Sequence, residues 1–235
     1  MLKKGLCLFV GIMMLFCQIN VVHATNLASG AESAILIDAN SQQILYQKNA
    51  TKKLYPASTT KIMTMILLFE AIQEKRLKWD DILTCSAYAS SMGGSQIFLK
   101  VGEKMTVEDL LKGVAIASGN DAVVALAERV SGSEEQFVKR MNIRAKDLGL
   151  KNTNFINATG LTADNHYSSA YDMSLIAKEL VKHEKILEFT STYEDYLRKD
   201  TKSPFWLVNT NRLVRFKEGV DGLKTGFTDE AGYCL

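Results

Sequence analysis

Cysteine is scarce in this chain, histidine scarcer, and net charge almost absent. Each shortage closes off a class of protein. Four cysteines occur in 235 residues, and two of them, Cys7 and Cys17, fall in an apolar N-terminal stretch. Cys85 and Cys234 remain, too few for a disulfide framework, so two buried thiols are expected. The three histidines, His23, His166 and His183, lack zinc-ligand spacing, and neither a metal nor another cofactor is expected. Basic residues number 28 and acidic residues 26. Two of the lysines, Lys3 and Lys4, and none of the acids precede residue 25, which leaves residues 25–235 neutral. A neutral chain gives no electrostatic case for nucleic acid as a partner. Repeats and low-complexity tracts are absent too.

The N-terminus has an address of its own. Lys3 and Lys4 precede an apolar stretch at residues 6–16, and Val22-His23-Ala24 offers a small residue for cleavage. This pattern predicts a secretory signal peptide at residues 1–24, cut after Ala24, with an uncleaved membrane anchor as the competing reading. The bulky Phe16 before Cys17 argues against a lipoprotein site. The 211 residues that follow suffice for one domain, or for one large and one small.

After the signal, strand formers at residues 33–38 and 43–47 flank a polar turn and predict a hairpin. A helix is expected over residues 58–74. Thr106 precedes Glu108 and Asp109 as an N-cap of the next helix, which Ser118-Gly119-Asn120 interrupts, with Gly119 as the expected breaker. Ser133-Glu134-Glu135-Gln136 has capping-box form, and residues 169–182 read as a further helix. Residues 152–161 read as an irregular loop. Strand character returns at residues 193–198, 206–208 and 223–227. Strands that bracket a helical block predict an α+β fold, with the two strand regions joined in one antiparallel sheet and the helices packed on it.

The chemistry concentrates in three short motifs. Ser58-Thr59-Thr60-Lys61 opens the first long helix, and residues three apart stand on one helix face. A lysine that touches a serine can take its proton, which makes Ser58 a candidate nucleophile and Lys61 a candidate base. The plainer reading makes Ser58 a helix N-cap and Lys61 a solvated charge. A random chain of this length shows Ser-x-x-Lys about once, so the motif alone decides nothing. Its position does more. The helix after Lys61 is apolar on nearly every face, where a charged amine is costly, yet the run to Glu70 is too short to span a bilayer. Ser118-Gly119-Asn120 puts two polar side chains at a helix break, and Lys224-Thr225-Gly226 falls on an expected strand.

Ser58-Thr59-Thr60-Lys61, Ser118-Gly119-Asn120 and Lys224-Thr225-Gly226 resemble the three signatures of the penicillin-recognising serine enzymes. Their surroundings are similar to the low-molecular-mass penicillin-binding proteins, the serine-type D-alanyl-D-alanine carboxypeptidases. Tyr55-Pro56-Ala57 before Ser58, Asp121-Ala122 after Asn120, Gly222-Leu223 before Lys224 and Asn157-Ala158-Thr159-Gly160-Leu161 all share that likeness.

The resemblance implies a β-lactamase/transpeptidase-like fold, with residues 25–235 as its catalytic domain. It implies that Ser58 attacks the bond between two D-alanines of a peptidoglycan stem peptide and that β-lactam antibiotics acylate the same serine. Lys61 and Ser118 would share the catalytic proton transfers with Ser58. Asn120, Lys224, Thr225, Gly226 and Phe227 would bind substrate, Phe227 through its backbone N–H in the oxyanion hole. The setting implied is bacterial and extracytoplasmic, in the cell wall or on the outer face of the cytoplasmic membrane. A serine β-lactamase is the nearest rival. The run Glu184-Lys185-Ile186-Leu187-Glu188 is the only approach to that group's deacylating Glu motif, and it lacks the Asn. A non-catalytic fragment is the rival of another class. In the resembled family, strands that complete the sheet follow the point where this chain ends, and one lies between the N-terminal hairpin and the Lys-Thr-Gly strand. Residues 25–235 are therefore expected to be a C-terminally incomplete domain.

Overall fold

The computed structural model describes residues 27–235. The expected signal peptide, with His23, Cys7 and Cys17, lies outside the described residues. Leu27 to Ala31 make a short turn, and Glu32–Leu235 is a compact unit of its own.

Strand β1 (Ala34–Ile37) pairs antiparallel with β2 (Ile44–Lys48), the hairpin expected from strand formers on either side of a polar turn. Asp38 closes their turn by accepting the Ser41 N–H and O–H at 2.6 and 2.7 Å. A 3-10 turn, Ala57–Thr60, leads into α1 (Lys61–Gln73). Every α1 residue from Lys61 through Phe69 is buried, because the run is apolar all round and a helix of that kind belongs inside a domain. Strand β3 (Ile82–Thr84), the one-turn helix α2 (Ala87–Ser90) and β4 (Lys104–Thr106) lie between α1 and the next long helix. Helices α3 (Val107–Ala117), α4 (Asn120–Ser131) and α5 (Glu134–Asp147) follow, with α4 packed on α3, α5 and α1 and all of them within one continuous apolar core.

The expected caps are in place. Thr106 Oγ1 accepts the Asp109 N–H at 3.1 Å and Ser133 Oγ accepts the Gln136 N–H at 3.2 Å. Ser169 caps α6 (Ala170–Leu180) in the same way. Two short helices, α7 (Lys185–Thr190) and α8 (Leu213–Phe216), flank β5 (Glu194–Leu197) and β6 (Phe205–Val208). The described chain closes with β7 (Gly226–Thr228) and β8 (Gly232–Cys234).

The α+β class is as expected, but the single sheet is not formed by these residues. Four two-stranded antiparallel ladders occur instead, and β1–β2 shares no hydrogen bonds with β7–β8 among the described residues. Each hairpin is seated on the helical block: β1 packs on α6, and β7 and β8 pack on the Ala57–Thr60 turn. A ladder needs strands about 4.8 Å apart, and the expected fold has another strand between these two hairpins. The strand expected at residues 223–227 also starts late. Gly226 is the first residue with a cross-strand partner, Cys234, so Lys224 and Thr225 stand just before the ladder. Both described cysteines are free thiols.

One buried side chain ties the Ala57–Thr60 turn to the loop beyond α5. The Ile156 N–H donates to His166 Nδ1 at 3.1 Å, so the neutral ring carries its proton on Nε2. That proton is donated to Thr60 Oγ1 at 2.9 Å. Burial pushes the His166 pKa down to about 4. Below its unfolded value of about 6.5, the unfolded chain therefore takes up a proton that the folded ring refuses. Stability from this site is complete above pH ~6.5 and is lost as the pH falls toward 4, by about 3 kcal/mol in all. Urea unfolding of wild type and His166→Gln across that range checks this. The wild type should lose stability more steeply, and equal slopes would remove His166 as the cause.

Candidate active site

Ser58 sits half-buried in the Ala57–Thr60 turn, and Lys61 begins α1. Spacing by one turn brings them together: Lys61 Nζ lies 2.8 Å from Ser58 Oγ. The same amine donates to the Thr159 carbonyl at 2.6 Å. Lys61 has no exposed surface. Burial holds its pKa well below the usual lysine value, the nearby Lys224 charge adds to the effect, and no carboxylate offsets either. Lys224 is buried as well, which brings it down to about 7, and its Nζ donates to the Thr225 carbonyl at 2.7 Å. Two buried lysines of depressed pKa therefore occur in this region, Lys61 against the Ser58 hydroxyl and Lys224 close enough for its charge to act on Lys61.

The Ser118-Gly119-Asn120 break has a different cause from the one expected. Ser118 takes the left-handed conformation, φ 62°, and caps α3, whereas Gly119 has an ordinary φ of −58°. Gly119 matters for space: a Cβ there would stand 3.1 Å from both Asp121 Oδ1 and Ile97 Cγ2. The break leaves Ser118 Oγ and Asn120 Oδ1 buried without a hydrogen-bond partner among the described residues. Each such atom costs about 1–3 kcal/mol, a cost natural folds carry where a ligand or reaction supplies the partner. The Asn120 amide is held in one orientation, because Nδ2 donates to the Gly93 carbonyl at 2.6 Å. A Cβ on Gly94 would stand 2.7 Å from Asn120 Nδ2 and 3.4 Å from Leu161 Cδ2, so this motif borders the loop that holds Lys61.

At the third motif, Thr225 Oγ1 bonds Thr210 Oγ1 at 2.7 Å. Gly226 lies against the nucleophile turn: a Cβ on it would be 2.7 Å from the Ser58 nitrogen. Strand alternation then turns Phe227 to the opposite face, where its half-exposed ring meets Tyr233 with centroids 4.8 Å apart. Only the backbone of Phe227 is available to the site. The run from Glu184 to Glu188 lies on α7, and Glu188 is an exposed partner of Lys185 at 3.0 Å.

Sequence reasoning missed Thr159, Thr210 and Ala57. Thr159 acts through a carbonyl, which leaves no signal in the sequence. Thr210 is separated from Thr225 by fifteen residues. Ala57 carries a φ of 46°, which an alanine gives no reason to expect. The one usable signal was Gly160, whose positive φ of 85° fits against the Ala57 carbonyl.

The family described as D-alanyl-D-alanine carboxypeptidase, peptidase S11, matches residues 20–235. The chain belongs to this family. It is 58% identical over 234 residues to the D-alanyl-D-alanine carboxypeptidase DacF of Bacillus subtilis, a match that takes in 97% of this chain and 60% of that protein. Its fold matches the D-alanyl-D-alanine carboxypeptidase DacD of Francisella tularensis with a TM-score of 0.84 at 29% identity, over 95% of this chain and 66% of that one. Penicillin-binding protein D2 of Listeria monocytogenes, solved in a cefotaxime-bound form, matches with a TM-score of 0.78 at 35% identity, over 87% of this chain and 82% of that one. The fold is thus that of the penicillin-binding proteins. The chain spans about 60% of the length of DacF.

Proposed function

We propose that this protein is a serine D-alanyl-D-alanine carboxypeptidase that releases the terminal D-alanine of peptidoglycan stem pentapeptides through an acyl-enzyme on Ser58. The observation that carries the reading is the 2.8 Å contact between Ser58 Oγ and a fully buried Lys61. Lys61 is a base only when neutral, and its surroundings favour that state.

In the neutral amine the lone pair accepts the Ser58 proton while Oγ attacks the carbonyl carbon between the two D-alanines. The carbonyl oxygen becomes an oxyanion, received by the backbone N–H groups of Ser58 and Phe227. One such donor is typically worth ~3 kcal/mol of barrier. The Lys61 proton then passes through the Ser118 hydroxyl to the departing nitrogen, the C–N bond breaks, and free D-alanine leaves. Water attacks the ester next, gives its proton to Lys61, and the proton returns to Ser58 as the ester bond breaks. Asn120 Oδ1, buried and without a partner among the described residues, accepts a substrate amide N–H or the Lys61 amine. Lys224 and the Thr225 hydroxyl receive the terminal carboxylate, and Gly226 lets the peptide lie along β7. A β-lactam enters the same reaction and acylates Ser58. Export by residues 1–24, cleavage after Ala24 and work at the cell wall or the outer membrane face complete the proposal, with residues 25–235 carrying the catalytic domain.

Release of D-alanine from an N-acylated peptide ending in D-Ala-D-Ala tests it, and a folded protein that releases none contradicts it. A pH profile adds a second check. Lys224 is charged below its pKa of about 7 and neutral above it, so kcat/KM for that peptide should fall above pH ~7. The fall should be weaker in kcat, because a bound carboxylate stabilises the ammonium. A kcat/KM that stays level to pH 9 would take Lys224 out of the carboxylate-binding role.

A further inference from the structure

The loop of residues 157–161 is folded around a single side chain. Asn157 Oδ1 accepts the Gly160 N–H at 2.7 Å, the Thr159 hydroxyl at 3.1 Å and the Thr159 N–H at 3.2 Å. Its Nδ2 donates to the Leu161 carbonyl at 2.8 Å. The loop so shaped clasps the Ala57–Thr60 turn and the start of α1 at three points. Gly160 lies against Ala57, so tightly that a Cβ would stand 1.8 Å from the Ala57 oxygen. The Ala158 carbonyl accepts the Thr64 hydroxyl at 2.7 Å. Between them, the Thr159 carbonyl accepts from Lys61 Nζ at 2.6 Å. The Ala158 N–H is held from outside by Glu134 Oε1 at 2.9 Å.

A neutral amine has two N–H bonds and one lone pair. Left to rotate, it can equally turn an N–H toward Ser58 Oγ, an arrangement that cannot take the serine proton. Committing one N–H to a fixed carbonyl restricts that rotation and leaves the lone pair free to face Oγ. We infer that Asn157 is a positioning residue: it shapes the loop so that the Thr159 carbonyl holds the Lys61 amine with its lone pair toward Ser58. The inference rests on the proposed acyl-enzyme chemistry and extends it to a residue that need not touch substrate. Lys224 and Thr225 do not contact this loop by any hydrogen bond of theirs, so substrate capture is left to them.

The test is the kinetics of acylation by benzylpenicillin over a range of pH, in wild type, Asn157→Ala and Asn157→Asp, with thermal unfolding of all three. Asn157→Ala should lower the limiting acylation rate roughly 10- to 100-fold, since misplacing a reacting group by about 1 Å costs on that order. The dissociation constant before acylation should stay within about twofold, as the carboxylate receptors are untouched. Asn157→Asp keeps the acceptor and should recover much of the rate. Its added carboxylate favours the ammonium form of Lys61, so its acid limb should move to higher pH. The charged groups that already bear on this region are Lys224, whose field reaches Lys61, and Glu134, bound to Ala158; both are common to all three proteins. A wild-type limiting rate in Asn157→Ala overturns the inference. So does a loss confined to the dissociation constant, or an Asn157→Asp protein as slow as Asn157→Ala with its acid limb unmoved. Failure of wild type itself to acylate counts against the proposed function instead.

Discussion

A Ser58→Ala protein is expected to release D-alanine from a D-Ala-D-Ala peptide roughly 10⁴- to 10⁶-fold more slowly than wild type, the range seen when a nucleophile acting as part of a unit is removed. The loss should fall on kcat. Lys224 and Thr225, which receive the carboxylate in the proposed mechanism, are unchanged by the substitution. The fold should survive it. Ser58 is only half-buried, and Lys61 keeps its 2.6 Å bond to the Thr159 carbonyl. The thermal midpoint should therefore move little, while turnover in a stopped assay falls to background. A mutant that retains even a hundredth of wild-type turnover would show that another group starts the reaction.

Lys61→Arg has the second largest expected effect, and for a different reason. Arginine stays protonated at any accessible pH, so it offers Ser58 no lone pair. The site is closed to solvent at this position, and no carboxylate is available to balance a fixed charge. Acylation by penicillin should slow by at least about 10³-fold. It should also lose its acid limb, because the group that titrates in wild type no longer does so. Some stability should be lost as well, since a buried charge without a partner costs several kcal/mol. Near-normal acylation in a folded Lys61→Arg protein would transfer the base role to Ser118 or to water.

Much of this site was legible in the sequence because its residues obey local rules. The Ser58–Lys61 pairing follows from helical spacing, and the burial of α1 follows from an apolar run with no polar face. Thr106 and Ser133 cap helices because each offers an oxygen to a free N–H three residues on. Other features depend on tertiary contact and left no local trace. Ser118, a residue with no glycine-like freedom, takes the left-handed conformation while Gly119 beside it does not. The Thr159 carbonyl holds Lys61, and a backbone oxygen is the same at every position. The late start of β7 follows from a ladder whose first pair is Gly226 with Cys234, and no propensity reads a partner from one strand alone. Short elements such as α7, α8, β3 and β4 are below the length at which periodicity can be recognised.

The sheet is the clearest case in which pattern and pairing separate. Residues of strand type occur where expected at both ends of the chain, yet β1–β2 and β7–β8 are seated on helices and do not share a ladder. Strand propensity describes how a residue fits a pleated, half-buried surface, and says nothing about which strand stands beside it. The contacts that set the site are accordingly those with the Ala57–Thr60 turn: Gly226 from β7, Gly160 from the loop and Thr60 with His166 beneath.

The central claim is that Ser58 is the nucleophile, activated by the buried Lys61 beside it. Its most direct test is to incubate the protein with benzylpenicillin, quench with acid, digest, and locate the adduct by mass spectrometry. One penicilloyl group per chain is expected, on the peptide that contains Ser58. An adduct on any other residue, or a folded protein that takes up none, would contradict it.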